Sequence, residues 1–219
     1  MPTSHRLAVI PDVHMRRKML HFAMDLHAEG YPLLFLGDYA DKGMQGNNPA
    51  FLRELFAFAV KNDAVLLLGN HDLAYLFPER TEFVIEGYEA ENAAEIAKIY
   101  DEYRAHFTFV HRVDRYLFSH AGLGPELLHS LQKQNAETSL DGIIEILNST
   151  QPPELFYRSA YNGGTDPFDG PLWIRPEQYD GALEDEGIKQ VVGHSSQASI
   201  RLKHNLLMVD VQLPLILEW

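Results

Sequence analysis

Five short polar motifs each follow an apolar stretch and contain side chains that can bind metal ions or move protons. Their chemistry-bearing residues are aspartate, asparagine and histidine, and the chain contains no cysteine. Carboxylate, amide and imidazole groups without thiolates are typical ligands of divalent transition metals. The sequence therefore predicts a metal site without sulfur ligands. The motifs are Asp12-Val13-His14, Gly37-Asp38-Tyr39-Ala40-Asp41-Lys42-Gly43, Gly69-Asn70-His71-Asp72, Ser119-His120-Ala121-Gly122 and Gly193-His194-Ser195.

The candidate ligands divide into two sets that share one carboxylate. Asp12 and His14 are two residues apart, so in an extended segment both side chains point to the same side. Asp38 has two carboxylate oxygens and can bridge two ions. Two ions about 3.5–4 Å apart can clamp a phosphate and bind a shared hydroxide as nucleophile. The first predicted set is Asp12, His14 and Asp38, and the second is Asp38, Asn70, His120 and His194.

His71 is adjacent to the ligand Asn70 and remains available for proton transfer. A leaving alkoxide requires a general acid, and histidine is the side chain most often used for this role. Asp41, in the preceding motif, can orient the imidazole and keep it protonated. We therefore predict that His71 is the general acid and that Asp41 orients it.

The elements that must position these residues follow from the hydrophobic pattern. Residues 7–10, 33–36 and 64–68 are short, apolar and bounded by Gly or Asp, which predicts buried strands with helices between them. This alternation is typical of a sheet covered by helices, in which ligands bind beyond the carboxyl ends of the strands. Residues 109–113 and 116–119 predict a hairpin, and closely spaced antiparallel strands are expected after residue 190.

Composition limits the class of protein. The 219 residues include 31 acidic and 18 basic side chains, a net charge of −13. Without a basic stripe, binding of long DNA or RNA is not expected. The apolar runs are far shorter than the ~20 residues that span a bilayer, and the N-terminus shows no signal-like pattern. We therefore expect a cytoplasmic protein without a membrane partner.

Together the five motifs resemble those of the calcineurin-like metallophosphoesterases. Gly-Asp-Tyr-Ala-Asp-Lys-Gly and His120-Ala121-Gly122 are most similar to the phosphoprotein (serine/threonine) phosphatase branch of bacterial type. The resemblance implies a mixed α/β fold, in which two packed mixed β-sheets are flanked by helices as a four-layer sandwich. It implies one domain over residues 1–219 with two divalent ions, for which manganese is the first choice and iron, zinc and cobalt accept the same ligands. It assigns the six ligands and the His71–Asp41 pair to the same roles as above.

The resemblance also indicates where phosphate binds and where this chain departs from the family. Lys42 occupies a position where serine/threonine phosphatases have arginine, and lysine cannot form a bidentate fork to phosphate. Arg175 lies in a Gly-Pro-x-Trp-x-Arg element and can supply that fork. The predicted phosphate-binding residues are therefore Arg175, Lys42 and Asn70. Asp72 is a second departure, since many members have glutamate there.

Residues 151–181 are rich in proline and glycine, which predicts an irregular segment that forms one wall of the substrate cleft. Tyr157, Tyr161 and Phe168 lie in this segment. Such side chains either line a substrate cleft or pack within the loop itself, and we expect the latter.

These features predict a two-metal phosphatase that acts on phosphomonoesters of proteins or small molecules. The first alternative keeps the site but hydrolyses a phosphodiester or a dinucleoside polyphosphate. The diadenosine hydrolases that this chain resembles tend to lack the equivalent of Asp41, which is present here. The second alternative is a non-catalytic, metal-stabilised interaction module. Scaffold members of such families usually lose ligands or the acid histidine, and all are retained here.

Overall fold

The computed structural model of the chain describes residues 5–42, 48–135, 139–159 and 163–219, so Gly43 of the second motif and Tyr161 of the irregular segment lie outside the described residues. Two compact units are present. The first comprises Met1–Phe107 with Gln212–Trp219, and the second comprises Thr108–Val211. The expectation of one domain over residues 1–219 stays a prediction.

The first unit is built on a five-stranded mixed sheet with strand order β10-β1-β2-β3-β4. Strands β1, β2 and β3 are parallel, and β10 pairs antiparallel with β1. The apolar side chains of β1, β2 and β3 are buried, except the half-buried Val65, as the short uninterrupted apolar runs predict. The strands are β1 (Arg6–Ile10), β2 (Leu33–Phe35), β3 (Val65–Leu67), β4 (Phe107–Thr108) and β10 (Leu215–Glu218).

The described part of this unit contains four α-helices beside the sheet. Helix α1 packs against β1 and β2, while α4 packs against α2 and α3. Helix α2 begins at Asn48, which is followed directly by Pro49, whose fixed φ suits a first helical turn, and the helix buries a stripe that includes Leu52 and Leu55. The helices are α1 (Arg17–Ala28), α2 (Asn48–Lys61), α3 (Leu73–Leu76) and α4 (Ala93–Tyr103), with single 3₁₀ turns at Thr81–Phe83 and Arg104–His106.

The second unit has its own five-stranded mixed sheet, with order β5-β6-β7-β9-β8. The predicted hairpin is present as the antiparallel pair β5–β6. The three helices of this unit are α5 (Pro125–Gln134), α6 (Leu140–Glu145), which continues into a π turn at Ile146–Thr150, and α7 (Pro153–Phe156). The strands are β5 (Val110–Val113), β6 (Tyr116–Ser119), β7 (Lys189–Val192), β8 (Arg201–Lys203) and β9 (Leu206–Met208).

The expectation of a wholly antiparallel tail is wrong. Strand β8 forms an antiparallel hairpin with β9, but β9 pairs in parallel with β7. The reason is that the chain reverses direction twice between β7 and β9, so that β9 again runs in the direction of β7. As a consequence β6, β7 and β9 are mutually parallel neighbours, and their carboxyl ends lie at one edge of the sheet.

The prediction of two mixed sheets flanked by helices is confirmed. Within residues 151–181, the described part contains α7 and a 3₁₀ turn at Pro176–Gln178 but no strand, in agreement with the predicted irregular segment. Among the described helices, none has the length and apolar character needed to cross a membrane.

Candidate active site

The carboxyl ends of β1, β2 and β3 carry the first three polar motifs. Because the strands are parallel, the residues that follow them emerge at the same edge of the sheet. The backbone N–H of His14 donates to the carbonyl of Asp38 over 2.7 Å, which joins the loop after β1 to the loop after β2. Gly37 has a φ of +98°, and a Cβ atom there would overlap the backbone of Gly69. The two glycines therefore allow the second and third motifs to approach closely.

His14 is held in a form suited to binding a metal ion. Its Nδ1 lies 3.2 Å from the carbonyl oxygen of Ala40, and a carbonyl can only accept, so Nδ1 carries the proton. The lone pair of Nε2 is then free, 3.5 Å from Asp38 Oδ2 and 3.9 Å from Asp12 Oδ2. Burial lowers the pKa of His14 to about 3, although Asp12 acts in the opposite direction. The imidazole is therefore neutral at physiological pH, as metal ligation requires.

Asp12 and Asp38 are buried carboxylates close to this imidazole. Burial and the neighbouring charges of Asp12 and Asp72 raise the pKa of Asp38 well above its ordinary range. Crowded buried acids of this kind are stabilised by a cation. One nitrogen or oxygen atom each from His14, Asp38 and His71 lies within 4.8 Å of the other two, so the predicted ligands His14 and Asp38 lie close together beside the predicted acid. Their imidazole and carboxylate donors suit a divalent ion.

His71 forms the predicted pair with Asp41. Its Nδ1 donates to Asp41 Oδ2 over 2.8 Å, and both side chains are buried. The other oxygen of this carboxylate, Oδ1, accepts a short hydrogen bond from the hydroxyl of Tyr75. Burial raises the pKa of Asp41 to about 7, while the Tyr75 hydrogen bond lowers it. The result is an ordered His71–Asp41–Tyr75 chain, of which the sequence predicted only the first two members.

Tyr75 is itself fixed by further contacts. Its oxygen accepts from the backbone N–H of Glu89 over 2.9 Å, and its ring stacks on Tyr88 and Tyr100. Tyr75 lies four residues after His71, within α3. Sequence reasoning missed it because its ring is also a plausible core residue. The only local signal is the i, i+4 spacing, which places Tyr75 one helical turn beyond His71.

Asp72 holds the loop after β2 in place. Its Oδ2 accepts from the backbone N–H groups of Asp38 and Gly69 over 2.8 and 2.7 Å. Its Oδ1 accepts from the backbone N–H of Tyr39 over 2.9 Å and from the hydroxyl of Tyr100 over 2.6 Å. This side chain has no exposed surface. The aspartate that the sequence marks as a departure from the family therefore supports the bend that carries Asp38.

Asn70 and Lys42 lie in the same two loops. Asn70, which lies between Gly69 and His71 in the sequence, is buried. The side chain of Lys42 is exposed, yet its positive charge acts on His14, Asp38 and Asp41 by lowering the pKa of each. Lys42 is therefore close enough to these residues to contribute a positive potential.

In the second unit, the loops after β6 and β7 carry His120 and His194. His194 Nδ1 lies 3.2 Å from His120 Nε2. His194 Nε2 lies 3.0 Å from the carbonyl oxygen of Trp173, so this nitrogen donates and Nδ1 carries no proton. Two imidazole nitrogens about 2.0–2.1 Å from one ion are separated by about 3.3 Å in tetrahedral geometry. The observed spacing therefore fits two ligands of one ion.

Arg175 is placed beside this histidine pair. Its Nη1 donates to Ser195 Oγ over 3.2 Å, and Ser195 directly follows His194. Its backbone N–H donates to Gly164 over 2.9 Å. A Cβ atom at Gly164, where φ is +85°, would overlap the Trp173 carbonyl and the Arg175 side chain. The irregular segment therefore brings Arg175 to the residue that follows His194, and the role of Arg175 in phosphate binding stays a prediction.

The backbone at several candidate ligands has an uncommon conformation. His14, Asp38 and His194 have φ values of 43°, 50° and 59°. Positive φ is unfavourable for residues with a Cβ atom and is concentrated at functional sites. Three of the predicted ligands therefore lie on strained backbone.

The chain was compared with known families and structures. A sequence model described as calcineurin-like phosphoesterase matches residues 5–198. A crystal structure of a cold-active protein-tyrosine phosphatase from a psychrophilic Shewanella species is 20% identical, with a TM-score of 0.63, over 97% of this chain and 75% of that one. A second structure of a cold-active protein tyrosine phosphatase is also 20% identical, with a TM-score of 0.62, over 97% and 73%.

A protein serine/threonine phosphatase from Saccharomyces cerevisiae is 15% identical, with a TM-score of 0.49, over 93% of this chain and 66% of that one. A comparison with curated proteins gave no match. At 20% identity, the similarity to the cold-active enzyme shows that the two chains share a fold.

Proposed function

Because the chain belongs to the calcineurin-like phosphoesterase family and is a metal-dependent phosphoesterase, we propose that it is a two-metal phosphatase acting on phosphomonoesters. The observation that carries the proposal is the buried pair in which His71 Nδ1 donates to Asp41 over 2.8 Å, beside the candidate ligands His14 and Asp38. A proton donor beside metal ligands is the combination needed to expel an alkoxide from phosphate.

We assign the metal ligands as the sequence predicts them. One ion takes Asp12, His14 and Asp38, and the second takes Asp38, Asn70, His120 and His194. The neutral Nε2 of His14 and the 3.2 Å spacing between the nitrogens of His120 and His194 support this assignment. Such ions lower the pKa of bound water and neutralise phosphate charge. Manganese is our first choice, and the donor set also suits iron, zinc and cobalt.

Side chains of the protein itself donate the proton and bind the phosphate. His71 protonates the leaving oxygen from Nε2, because its Nδ1–H is already engaged in the hydrogen bond to Asp41. Arg175, with Lys42 and Asn70, binds the non-bridging phosphate oxygens. Arginine offers two parallel N–H donors, which suits it better than Lys42 to fix the orientation of the phosphate.

A phosphoprotein is the substrate class that we favour, because the second and fourth motifs resemble those of phosphoprotein phosphatases. A small phosphorylated molecule remains the other form of the same proposal. Hydrolysis of dinucleoside polyphosphates or phosphodiesters is the alternative, and the engagement of Asp41 with His71 argues against it. A non-catalytic module would not need a buried acid pair beside the ligands.

The test is a comparison of His71→Asn with the wild type on two esters after reconstitution with Mn²⁺. Loss of the general acid should lower kcat by roughly 10²–10⁴ for an alkyl phosphate and far less for p-nitrophenyl phosphate, whose leaving group needs no proton. Metal content should be unchanged. The matched control is His129→Asn, which alters an exposed histidine on α5 and should leave both rates intact.

Equal losses for the two esters would refute proton donation by His71. Activity that survives complete removal of metal, verified by elemental analysis, would refute the two-metal proposal. A panel with p-nitrophenyl phosphate, its bis ester, phosphopeptides and dinucleoside polyphosphates decides between the substrate classes.

A further inference from the structure

An open apolar cleft of about 490 Å³ lies in the second unit, between α5, α7 and the irregular segment. Its lining residues are Leu127, Ser130, Pro153, Glu154, Tyr157 and Phe168. Tyr157 and Phe168 are 46% and 54% exposed. The expectation that these rings pack within the loop is therefore wrong, because they face a cleft open to solvent. Exposed aromatic rings around a concave surface are typical of binding sites.

Hydrogen bonds hold the backbone beside the rings of Tyr157 and Phe168. The carbonyl of Tyr157 accepts from the backbone N–H of Gly170 over 2.9 Å. The buried carboxylate of Asp169, next to Phe168 and Gly170 in sequence, accepts hydrogen bonds from the backbone N–H and the hydroxyl of Ser159 and from the backbone N–H of Asp166. A Cβ atom at Gly170 would overlap the backbone of α7. The described residues 157–159 and 166–170 of this loop are thus held by hydrogen bonds and close packing, and little order has to be created there when a ligand binds.

Glu154 supplies the charge of the cleft. Its Oε1 accepts from Gln134 Nε2 over 2.6 Å, whereas its Oε2 is buried and has no hydrogen-bond partner among the described residues. An unsatisfied carboxylate oxygen in apolar surroundings favours a cationic donor. Aromatic faces beside it also attract ammonium and guanidinium groups.

The wall of this cleft is continuous with the element that carries Arg175. Arg158 follows Tyr157 and places its guanidinium 4.7 Å from the centre of the Trp173 ring. The carbonyl of Trp173 accepts from His194, and Arg175 lies two residues further along. A substrate held by Arg175 therefore has a second surface available within the same segment.

We propose that this cleft binds a part of the substrate other than its phosphate: an extended peptide stretch in which a lysine or arginine neighbours a large aliphatic residue. The aliphatic side chain packs between Tyr157, Phe168 and Pro153, and the cation pairs with Glu154. The net charge of −13 favours encounter with such a basic stretch. This proposal rests on the assignment of phosphoproteins as substrates and adds the recognition of sequence near the phosphorylated residue.

The experiment uses phosphopeptides that differ only in one dipeptide. Lys-Leu, Gly-Ser or Glu-Leu is placed from three to eight residues on either side of the phosphorylated residue. Wild-type enzyme should show about tenfold higher kcat/KM for the Lys-Leu peptides at the best spacing, the size expected when a few central contacts dominate binding. The rate with p-nitrophenyl phosphate serves as the reference without a peptide.

Variants then assign the preference to the cleft. Tyr157→Ser and Phe168→Ser should each remove most of the preference for leucine, and Glu154→Gln should remove the preference for lysine. Hydrolysis of p-nitrophenyl phosphate should stay unchanged. The control Leu202→Ser removes an apolar side chain that is 65% exposed and does not line the cleft, so it should retain the full preference.

Direct binding separates this proposal from the assigned activity. A fluorescent, unphosphorylated Lys-Leu peptide should bind wild type and lose affinity in the three cleft variants, whether or not the enzyme turns over any substrate. Equal kcat/KM for all dipeptides, together with no binding of this peptide, would overturn the proposal while leaving phosphatase activity untouched. A dimer that is lost in Phe168→Ser, measured by sedimentation, would also overturn it by assigning the cleft to self-association.

Discussion

Asp72→Asn is the perturbation that most directly tests how the proposed metal site is supported. The aspartate accepts four hydrogen bonds of 2.9 Å or shorter, two at each oxygen, from Asp38, Gly69, Tyr39 and Tyr100. Asparagine is nearly identical in size but has only one acceptor oxygen. In either orientation, its NH₂ group faces two of the four donors.

The expected loss of stability follows from these contacts. A buried donor left without an acceptor costs about 1–3 kcal/mol, so two cost about 2–6 kcal/mol. The remaining two bonds also lose the strength that a charged acceptor gives them. We therefore expect the free energy of unfolding to fall by about 3–6 kcal/mol, a large share of the 5–15 kcal/mol typical of a domain.

Equilibrium urea denaturation, followed by circular dichroism in the presence of a chelator, measures this difference without a contribution from bound metal. The matched control is Asp101→Asn, an exposed aspartate on α4 that pairs only with Arg104 among the described contacts, and it should change stability by less than about 0.5 kcal/mol. A loss below about 1 kcal/mol for Asp72→Asn would show that water or rearranged loops replace the four bonds, and the reasoning would fail.

Three further predictions follow. Tyr75→Phe removes the hydroxyl that donates to Asp41, so kcat for an alkyl phosphate should fall by about 3–10-fold. Metal content and the turnover of p-nitrophenyl phosphate should stay unchanged. An equal fall for both esters would indicate a general structural defect and contradict the prediction. Arg175→Ala should lower kcat/KM by about 10–150-fold and Arg175→Lys should restore only part of it, whereas wild-type values in the alanine variant would place this side chain outside the site. Burial lowers the pKa of His111, so the unfolded state takes up its proton first as the pH falls through about 6.5, and stability should decline there. His111→Asn should show a smaller decline between pH 7.5 and 5.5 in urea denaturation, and identical pH profiles would contradict this.

That the predicted ligands lie beyond strand ends could be read from the sequence, because this placement is a local property. An apolar run that ends in Asp or Gly identifies the end of a strand, and parallel strands deliver such ends to one edge. The same reasoning applies to Asp12, Asp38 and Asn70 in the first sheet. It also extends to His120 and His194, which follow neighbouring parallel strands of the second sheet.

The supporting residues are not predictable in this way, because their partners are distant in sequence. Asp72 binds the backbone of residues 38–40, more than thirty positions earlier. Tyr100 reaches the same carboxylate from α4, and its pattern is that of any core aromatic residue. Tyr157 and Phe168 were misjudged for a similar reason, since composition does not tell which rings of an irregular segment face solvent.

The discontinuity of the first unit bears on how the chain folds during translation. Strand β1 ends at residue 10, yet its antiparallel neighbour β10 lies at residues 215–218, after the whole of the second unit. At about 5–20 residues per second, roughly 10–40 s pass between the synthesis of β1 and that of β10, and one edge of β1 lacks its partner during this time. An unpaired apolar edge is a site for wrong pairing with other chains. Slow synthesis should therefore increase aggregation, and fusing residues 212–219 ahead of β1 through a short linker should shorten the exposure.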